Sequence, residues 1–340
     1  MDMEKRQKLI KLSVDYINNP SKVQHFNKKG KDVDSVIREQ FLELMGTEKP
    51  TMKDVRRHKV AIFEILEEVL TDTYLNGVNE DEFFMQFAEI RNLALGDAQE
   101  FYVEDDAVLV VSEHAGSHWN ISRQKLEGGQ SFTVKTKAYA IAVYGDFFLF
   151  VTGRLNFSRL IEKVAEAVQN KIYEEVAMSF TNAVAKLPAP FVQSGTYEEE
   201  KLQELIAHVE ASSGAPAIVL GTRKALAQVT KGLSVEYYSN EMKNELARTG
   251  RVANVNGMTL VQLPTVHKAN TFEFAYDDNQ LLVLPNNNDR FIKIVFEGED
   301  YVKEVNDETT NNDMSLEYKF ITRFGVHSIF STLFGVYTLS

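Results

Sequence analysis

The chain has 340 residues, 44% of them apolar and 25% charged, which is the composition of a globular protein large enough for one or two domains. Its net charge of −12 and pI near 5.2 argue against a dedicated nucleic-acid-binding surface, which needs clustered lysine and arginine. It contains no cysteine, so disulfides, thiolate catalysis and cysteine-ligated zinc are excluded.

In chain order, residues 1–50 are mixed-charge and weakly apolar, broken by Pro20 and a lysine cluster at Lys28, Lys29 and Lys31. They read as an arm with one or two short helices. The first 13 residues lack an apolar stretch of secretory-signal length, and no run reaches the roughly 18 apolar residues of a spanning helix. A soluble, intracellular product is expected, which makes the sequons at Asn120 and Asn156 chance matches.

Residues 51–74 predict a helix with Thr51 as its N-cap and an apolar stripe at Val60, Phe63, Ile65, Leu66, Val69 and Leu70. A second helix is expected over 82–93, through Phe84, Phe87 and Ile90. Then comes a long β-hairpin, with arms expected at 107–112 and 132–139. The loop between them, 113–131, is far longer than the two to about five residues of an ordinary hairpin turn. An arm that buries little of itself must find partners on another chain. Near its tip lies Trp119, the sole tryptophan of the chain, and tryptophan is enriched where interfaces concentrate their energy. Arg123, Lys125, Lys135 and Lys137 outnumber Glu127 and make the hairpin basic inside an acidic protein, a pattern that sets register and steers association. Trp119, Arg123 and Lys125 are therefore the expected intersubunit contacts.

Strands are expected at 139–143 and 147–152. A long helix over 156–185 follows, in which Leu160, Val164, Val168, Ile172, Val176, Phe180 and Val184 recur every fourth residue, so the buried stripe winds slowly around it. Strict heptad spacing is absent, which separates it from a coiled coil. Beyond Pro188 and Pro190 the pattern is α/β: a helix over 198–211, a continuous apolar strand at 217–220, helices to 229 and over 241–248, a hairpin around Asn256-Gly257, and a strand at 280–284. Strands at 291–296 and 316–324 flank a polar loop, 298–313. In the second strand Leu316, Tyr318, Phe320, Thr322 and Phe324 share one face. The tail from 326 to 339 is apolar and must pack.

The sequence holds no phosphate-binding glycine loop, no dinucleotide fingerprint, no H-E-x-x-H and no nucleophile elbow. His114 and His118 stand four apart, but Gly116 between them favours a surface loop over a metal pair. Thr222, Arg223 and Lys224 open a helix, most simply as an ordinary capped start. No catalytic, cofactor or metal site is expected, and the chain reads as a non-enzyme.

Taken in order, these elements resemble the major capsid proteins of tailed bacteriophages, the Hong Kong 97 fold. The similarity rests on the extended loop at 107–138, the spine helix at 156–185, the run Ala217-Ile218-Val219-Leu220-Gly221-Thr222-Arg223-Lys224-Ala225-Leu226, and Glu317-Tyr318-Lys319-Phe320. The resemblance implies an α+β fold with an N-terminal arm at 1–50 and a helical segment at 51–106. The peripheral domain would take 139–188 and 286–325, and the axial domain 189–285 and 326–340. It implies hexamers and pentamers closing into an icosahedral shell, assembled in the host bacterial cytoplasm and carried in the virion. Portal and decoration proteins would be partners, with non-specific contact to packaged DNA. The arm is shorter than the cleaved scaffolding segments of some relatives, so a separate scaffolding protein is expected. Lys125 and several asparagines are available for cross-linking, but nothing in the sequence fixes their geometry. Two other readings are an encapsulin-like compartment around a protein cargo and a soluble α/β enzyme with a hairpin lid.

Overall fold

The computed structural model describes residues 3–18, 33–103, 130–144, 156–232, 239–250, 252–269, 271–286, 290–305 and 317–340. The polypeptide starts with helices α1 (Met3–Asn18), α2 (Val33–Met45) and α3 (Met52–Glu80). Leu9, Ile10 and Val14 of α1 and Ile37 and Phe41 of α2 lie in the main core. The two helices match the one or two expected over residues 1–50, and both pack into the core. The Arg6 guanidinium pairs with Glu64 and, at 2.7 Å, with Glu68, fastening α1 along α3.

Thr51 caps α3 as expected, its backbone N–H and hydroxyl both donating to Asp54 Oδ2 at 3.0 and 2.6 Å. The helix runs to Glu80, and its buried stripe takes in Val55, Ile62, Ile65, Leu66, Val69, Leu70, Tyr74 and Val78. Val60, assigned to that stripe from sequence, points away and is 64% exposed. Ile62 lies two positions on, about 200° around the helix, so they cannot share a face. The helix expected over 82–93 is divided. Only α4 (Glu82–Phe87) is helical, and β1 (Ala88–Leu93) is a strand parallel to β10 (Ile292–Glu297).

The spine helix α5 (Phe157–Val184) matches its expected bounds to within a residue at each end. Its 28 residues span about 42 Å. Val164, Val168, Ile172, Val176 and Phe180 are buried, widened by Ile161, Ala165, Tyr173 and Ala177 on the adjacent row. At its start, Asp34 of α2 accepts hydrogen bonds from the Ser158 backbone N–H at 3.3 Å and the Ser158 hydroxyl at 3.1 Å.

The helices pack on one sheet, whose hub is β12 (Glu317–Ser328). One edge of β12 pairs antiparallel with β4 (Lys137–Tyr144). The other edge pairs first with β11 (Tyr301–Val305) and then with β10. The segment expected as a polar loop therefore contains β11. The register steps from Phe296↔Phe324 to Tyr301↔Ile321, so β10 and β11 form one interrupted edge with a bulge between them. Phe320, Thr322 and Phe324 are buried and Arg323 is exposed, the alternation read from sequence.

A second sheet has the order β5–β13–β9–β6–β8–β7, formed by β5 (Val192–Gly195), β6 (Ala217–Gly221), β7 (Asn254–Val255), β8 (Met258–Gln262), β9 (Gln280–Pro285) and β13 (Gly335–Leu339). One face, with Ile218, Leu220, Leu282, Leu284 and Val336, joins the main core. The other, with Val219, Leu281, Val283 and Tyr337, packs against α6 (Glu199–Ser213) and α7 (Arg223–Gly232). Burial on both faces explains the uninterrupted apolar run of β6. Helix α8 (Asn240–Thr249) precedes the β7–β8 hairpin, where Asn256 and Gly257 take the positive φ of the Asn-Gly turn, 48° and 83°.

Candidate assembly interface

The hairpin's root is formed by β2 (Glu100–Val103) and β3 (Gln130–Thr133), paired antiparallel from Glu100↔Thr133 to Val103↔Gln130. The described partner of residues 130–133 is 100–103; the outgoing arm expected at 107–112 falls outside the described residues, in the segment 104–129 that joins the paired strands. Trp119, Arg123 and Lys125, the contact residues expected from sequence, fall outside the described residues, as do His114 and His118. The continuation of the returning arm, β4, belongs to the main sheet instead of to the hairpin.

The root is fixed by Phe101, which is 3% exposed and packs with Val134, Val295 and Ile329. Two cations lie over its ring: the Arg91 guanidinium 4.8 Å from the centroid and the Lys293 ammonium at 5.6 Å. Both are held by Glu89, which accepts from Lys293 Nζ at 2.7 Å and from Arg91 Nε at 2.7 Å. Burial pushes the Glu89 carboxyl up, but the hydrogen bonds and charges of Lys293 and Arg91 outweigh it and leave it below its ordinary range. Because Glu89 and Arg91 alternate on β1 and Lys293 is its register neighbour on β10, the clamp follows from strand geometry.

Two further contacts pin the strand leaving the hairpin. The Thr136 hydroxyl donates to Glu297, whose other oxygen accepts from the Gly96 N–H at 2.9 Å. These bonds lower the Glu297 carboxyl. At Gly325 of β12 the chain passes so close to the return that an added Cβ would sit 2.5 Å from the Lys135 carbonyl oxygen. Farther along β4, Tyr139 stacks on Phe324 at 4.3 Å, and Lys171 of the spine lies 5.6 Å from the Tyr139 ring while pairing with Glu174 and Glu175. Burial, with Glu175 and Glu174 nearby, raises the Tyr139 phenol. Lys137 adds a 3.9 Å pairing with Glu175. The strands that flank residues 104–129 are therefore tied to both sheet and spine.

Sequence reasoning missed the exposed aromatic tip at Phe272 and Phe274, between β8 and β9. Two phenylalanines in an otherwise polar segment were the available signal. Thr222, Arg223 and Lys224 make an ordinary helix start: the Thr222 hydroxyl accepts from the Ala225 N–H at 3.4 Å. Among the described residues no cluster of three or more histidine, aspartate or glutamate side chains could hold a metal, and no helix is long and apolar enough to cross a membrane.

Among solved structures, the chain is similar to the mature capsid of bacteriophage PhiM1, with 12% identity over 76% of this chain and 87% of that one, at a TM-score of 0.44. A virus-like particle from Pyrococcus furiosus matches with 13% identity over 82% and 99%, TM-score 0.43. The procapsid of satellite phage P4, in a structure including the size determination protein Sid, matches with 10% identity over 79% and 98%, TM-score 0.45. No curated protein matches the sequence. The sequence does match a family model, the SPbeta prophage-derived putative capsid protein YonB, from residue 8 to residue 338. Spanning nearly all of its 340 residues, that match makes the chain a member of this family of phage capsid proteins.

Proposed function

We propose that the chain is the major capsid protein of a tailed phage or prophage, and that many copies close as hexamers and pentamers into an icosahedral shell of the Hong Kong 97 type around packaged DNA. The family supports this reading. The observation that carries its mechanism is the clamped root of residues 100–103 and 130–133, a rigid base from which 104–129 can reach a neighbouring subunit. Trp119 would supply the buried aromatic anchor, and Arg123 and Lys125 the charges that set register.

Residues 139–188 with 286–325 act as the peripheral domain and 189–285 with 326–340 as the axial domain. Helices α1 and α2 strengthen the peripheral core. The chain does no catalysis and binds no cofactor. Its acidic surface lets DNA lie against the wall without tight attachment. A separate scaffolding protein guides assembly in the host cytoplasm, with portal and decoration proteins joining the virion.

Negative-stain electron microscopy of the purified chain, expressed with and without any neighbouring scaffold gene, tests this. Closed shells, tubes or hexameric rings support it. A monodisperse monomer under every condition overturns it.

A further inference from the structure

The connection from β8 to β9 leaves the body of the protein as a small projection with paired legs. His267 and Phe274 form a β-bridge, the Ala275 N–H donates to the Val266 carbonyl at 2.8 Å, and the Lys268 N–H donates to the Glu273 carbonyl at 2.8 Å. The Lys268 ammonium also pairs with the Glu273 carboxylate at 3.2 Å. At the base, Val266 and Tyr276 are buried in the main core. At the tip, Phe272 is 95% exposed, with the His267 ring 6.3 Å away. A tip so braced presents its ring with little further ordering to undergo on docking. A phenylalanine this exposed adds nothing to the core of its own subunit.

A socket lies elsewhere on the same chain, between the end of α5 and the segment that follows β12. It is a pocket of about 310 Å³, with Ala183, Leu187, Phe330, Leu333 and Phe334 among its walls and Lys186 beside them. Phe330 stacks on Phe334 at 4.2 Å and on Phe291 at 5.3 Å, so the walls rest on the core. Leu333 is left half-exposed.

We propose that Phe272 of one copy seats in this pocket of a second copy, with Glu273 beside it facing Lys186. The inference rests on the shell reading above. Tip and pocket match in apolar character and in the sign of the charge beside them. They are different surfaces of one chain, so the contact is heterologous and propagates into rings or arrays instead of ending at a dimer. One such tip buries far less than the roughly 800 Å² per partner of a stand-alone complex. It therefore holds where many identical copies repeat it, which argues for a second copy over a foreign protein.

The absence of cysteine makes the test direct. One population carrying E273C and another carrying K186C, both keeping the Phe272 ring, are co-assembled, oxidised and run on a non-reducing gel, alongside shells from F272S and F272Y. A disulfide-linked dimer in the mixed population, with closed-shell yield down at least about tenfold in F272S and retained in F272Y, is the expected result. Wild-type yield from F272S, or mixed shells that form without the disulfide, overturns the inference while leaving the shell reading intact. Failure of the unmodified chain to assemble counts against the shell reading itself. Circular dichroism on unassembled F272S subunits separates lost docking from lost folding: a native spectrum with lost shells supports the contact, and an unfolded one overturns it, since a docking tip contributes nothing to its own fold.

Discussion

The Tyr74 hydroxyl donates to Asp300 Oδ2 at 2.5 Å, joining the last third of α3 to the bulge between β10 and β11. Thr71 Oγ1 donates to the same oxygen at 2.7 Å. Burial and the adjacent Asp300 carboxylate drive the Tyr74 phenol far above its ordinary value, so it stays a neutral donor at every physiological pH. The last of the three residues that interrupt the strand, Asp300, thus supplies the acceptor that holds the helix onto the sheet. Y74F leaves Thr71 as a donor to Asp300 and is expected to cost about 1–2 kcal/mol, whereas D300A takes the acceptor from both hydroxyls, leaving the buried phenol only the 3.5 Å contact with Thr322 Oγ1, and is expected to cost about 2–3 kcal/mol. Urea unfolding of unassembled subunits checks the order, and equal losses would contradict it.

A second carboxylate with two tasks is Asp81. Its Oδ1 accepts from the Phe83 and Phe84 N–H groups at 3.0 and 3.2 Å, capping α4, and its Oδ2 accepts from the Tyr173 hydroxyl at 2.5 Å. D81N keeps a good cap and is expected to lose about 1 kcal/mol, and D81A, losing both, about 2–3 kcal/mol. Thermal melts of the two variants against wild type measure the difference.

The hairpin clamp should be acid-sensitive. Because the Glu89 carboxyl is held below its unfolded value, its contribution is complete above about pH 4.5 and is lost as pH falls through the lowered folded value. Acid titration of stability should steepen in that range for wild type and flatten for E89Q. At neutral pH, E89A leaves the buried Lys293 ammonium without its carboxylate and is expected to cost about 3 kcal/mol, while the double change E89A/K293M recovers most of it.

Gly325 faces backbone and Gly335 faces a side chain. An added Cβ at Gly325 meets the Lys135 carbonyl oxygen at 2.5 Å, and one at Gly335 meets Leu205 Cδ1 at 2.7 Å. Leucine can change rotamer, but the Lys135 backbone is held from both sides by β3 and β4. G325A is therefore expected to lose about 2–3 kcal/mol and G335A about 1 kcal/mol. Denaturant midpoints rank them, and a reversed order would show that the hairpin return can yield.

Replacing residues 104–129 by a short glycine-serine turn keeps the β2–β3 root, so the subunit should fold with wild-type stability and fail to close shells. Normal shells in the electron microscope would remove the role given to the hairpin.

Where burial follows the local period, the sequence was a sufficient guide. The four-residue row of α5 and the alternation through Phe320, Thr322 and Phe324 are both borne out because each element turns one stripe or face to a single core. Pairings decided by distant residues were not legible. Ala88–Leu93 has no strand-like composition beyond Ile90, and becomes a strand because β10 offers it a parallel partner more than 200 positions later. The strand at 100–103 was not legible either, because its pairing with 130–133 depends on Phe101 finding a seat with Val295 and Ile329, nearly 200 positions or more along the chain. Nor does local spacing reveal that α1 is fastened to α3 through Arg6, Glu64 and Glu68.

Both sheets share one topological habit: a late strand enters between early ones. Strand β12 inserts between β4 on one side and β10 and β11 on the other, and β13 inserts between β5 and β9. On the ribosome neither sheet can close until its filler strand has emerged, so most of the chain must wait with its apolar faces unpaired. Such long-range closure makes for slow folding. It also acts as an inspection step, because a chain stopped before residue 317 lacks the centre of one sheet and an inner strand of the other, and cannot enter a growing lattice as a defective tile.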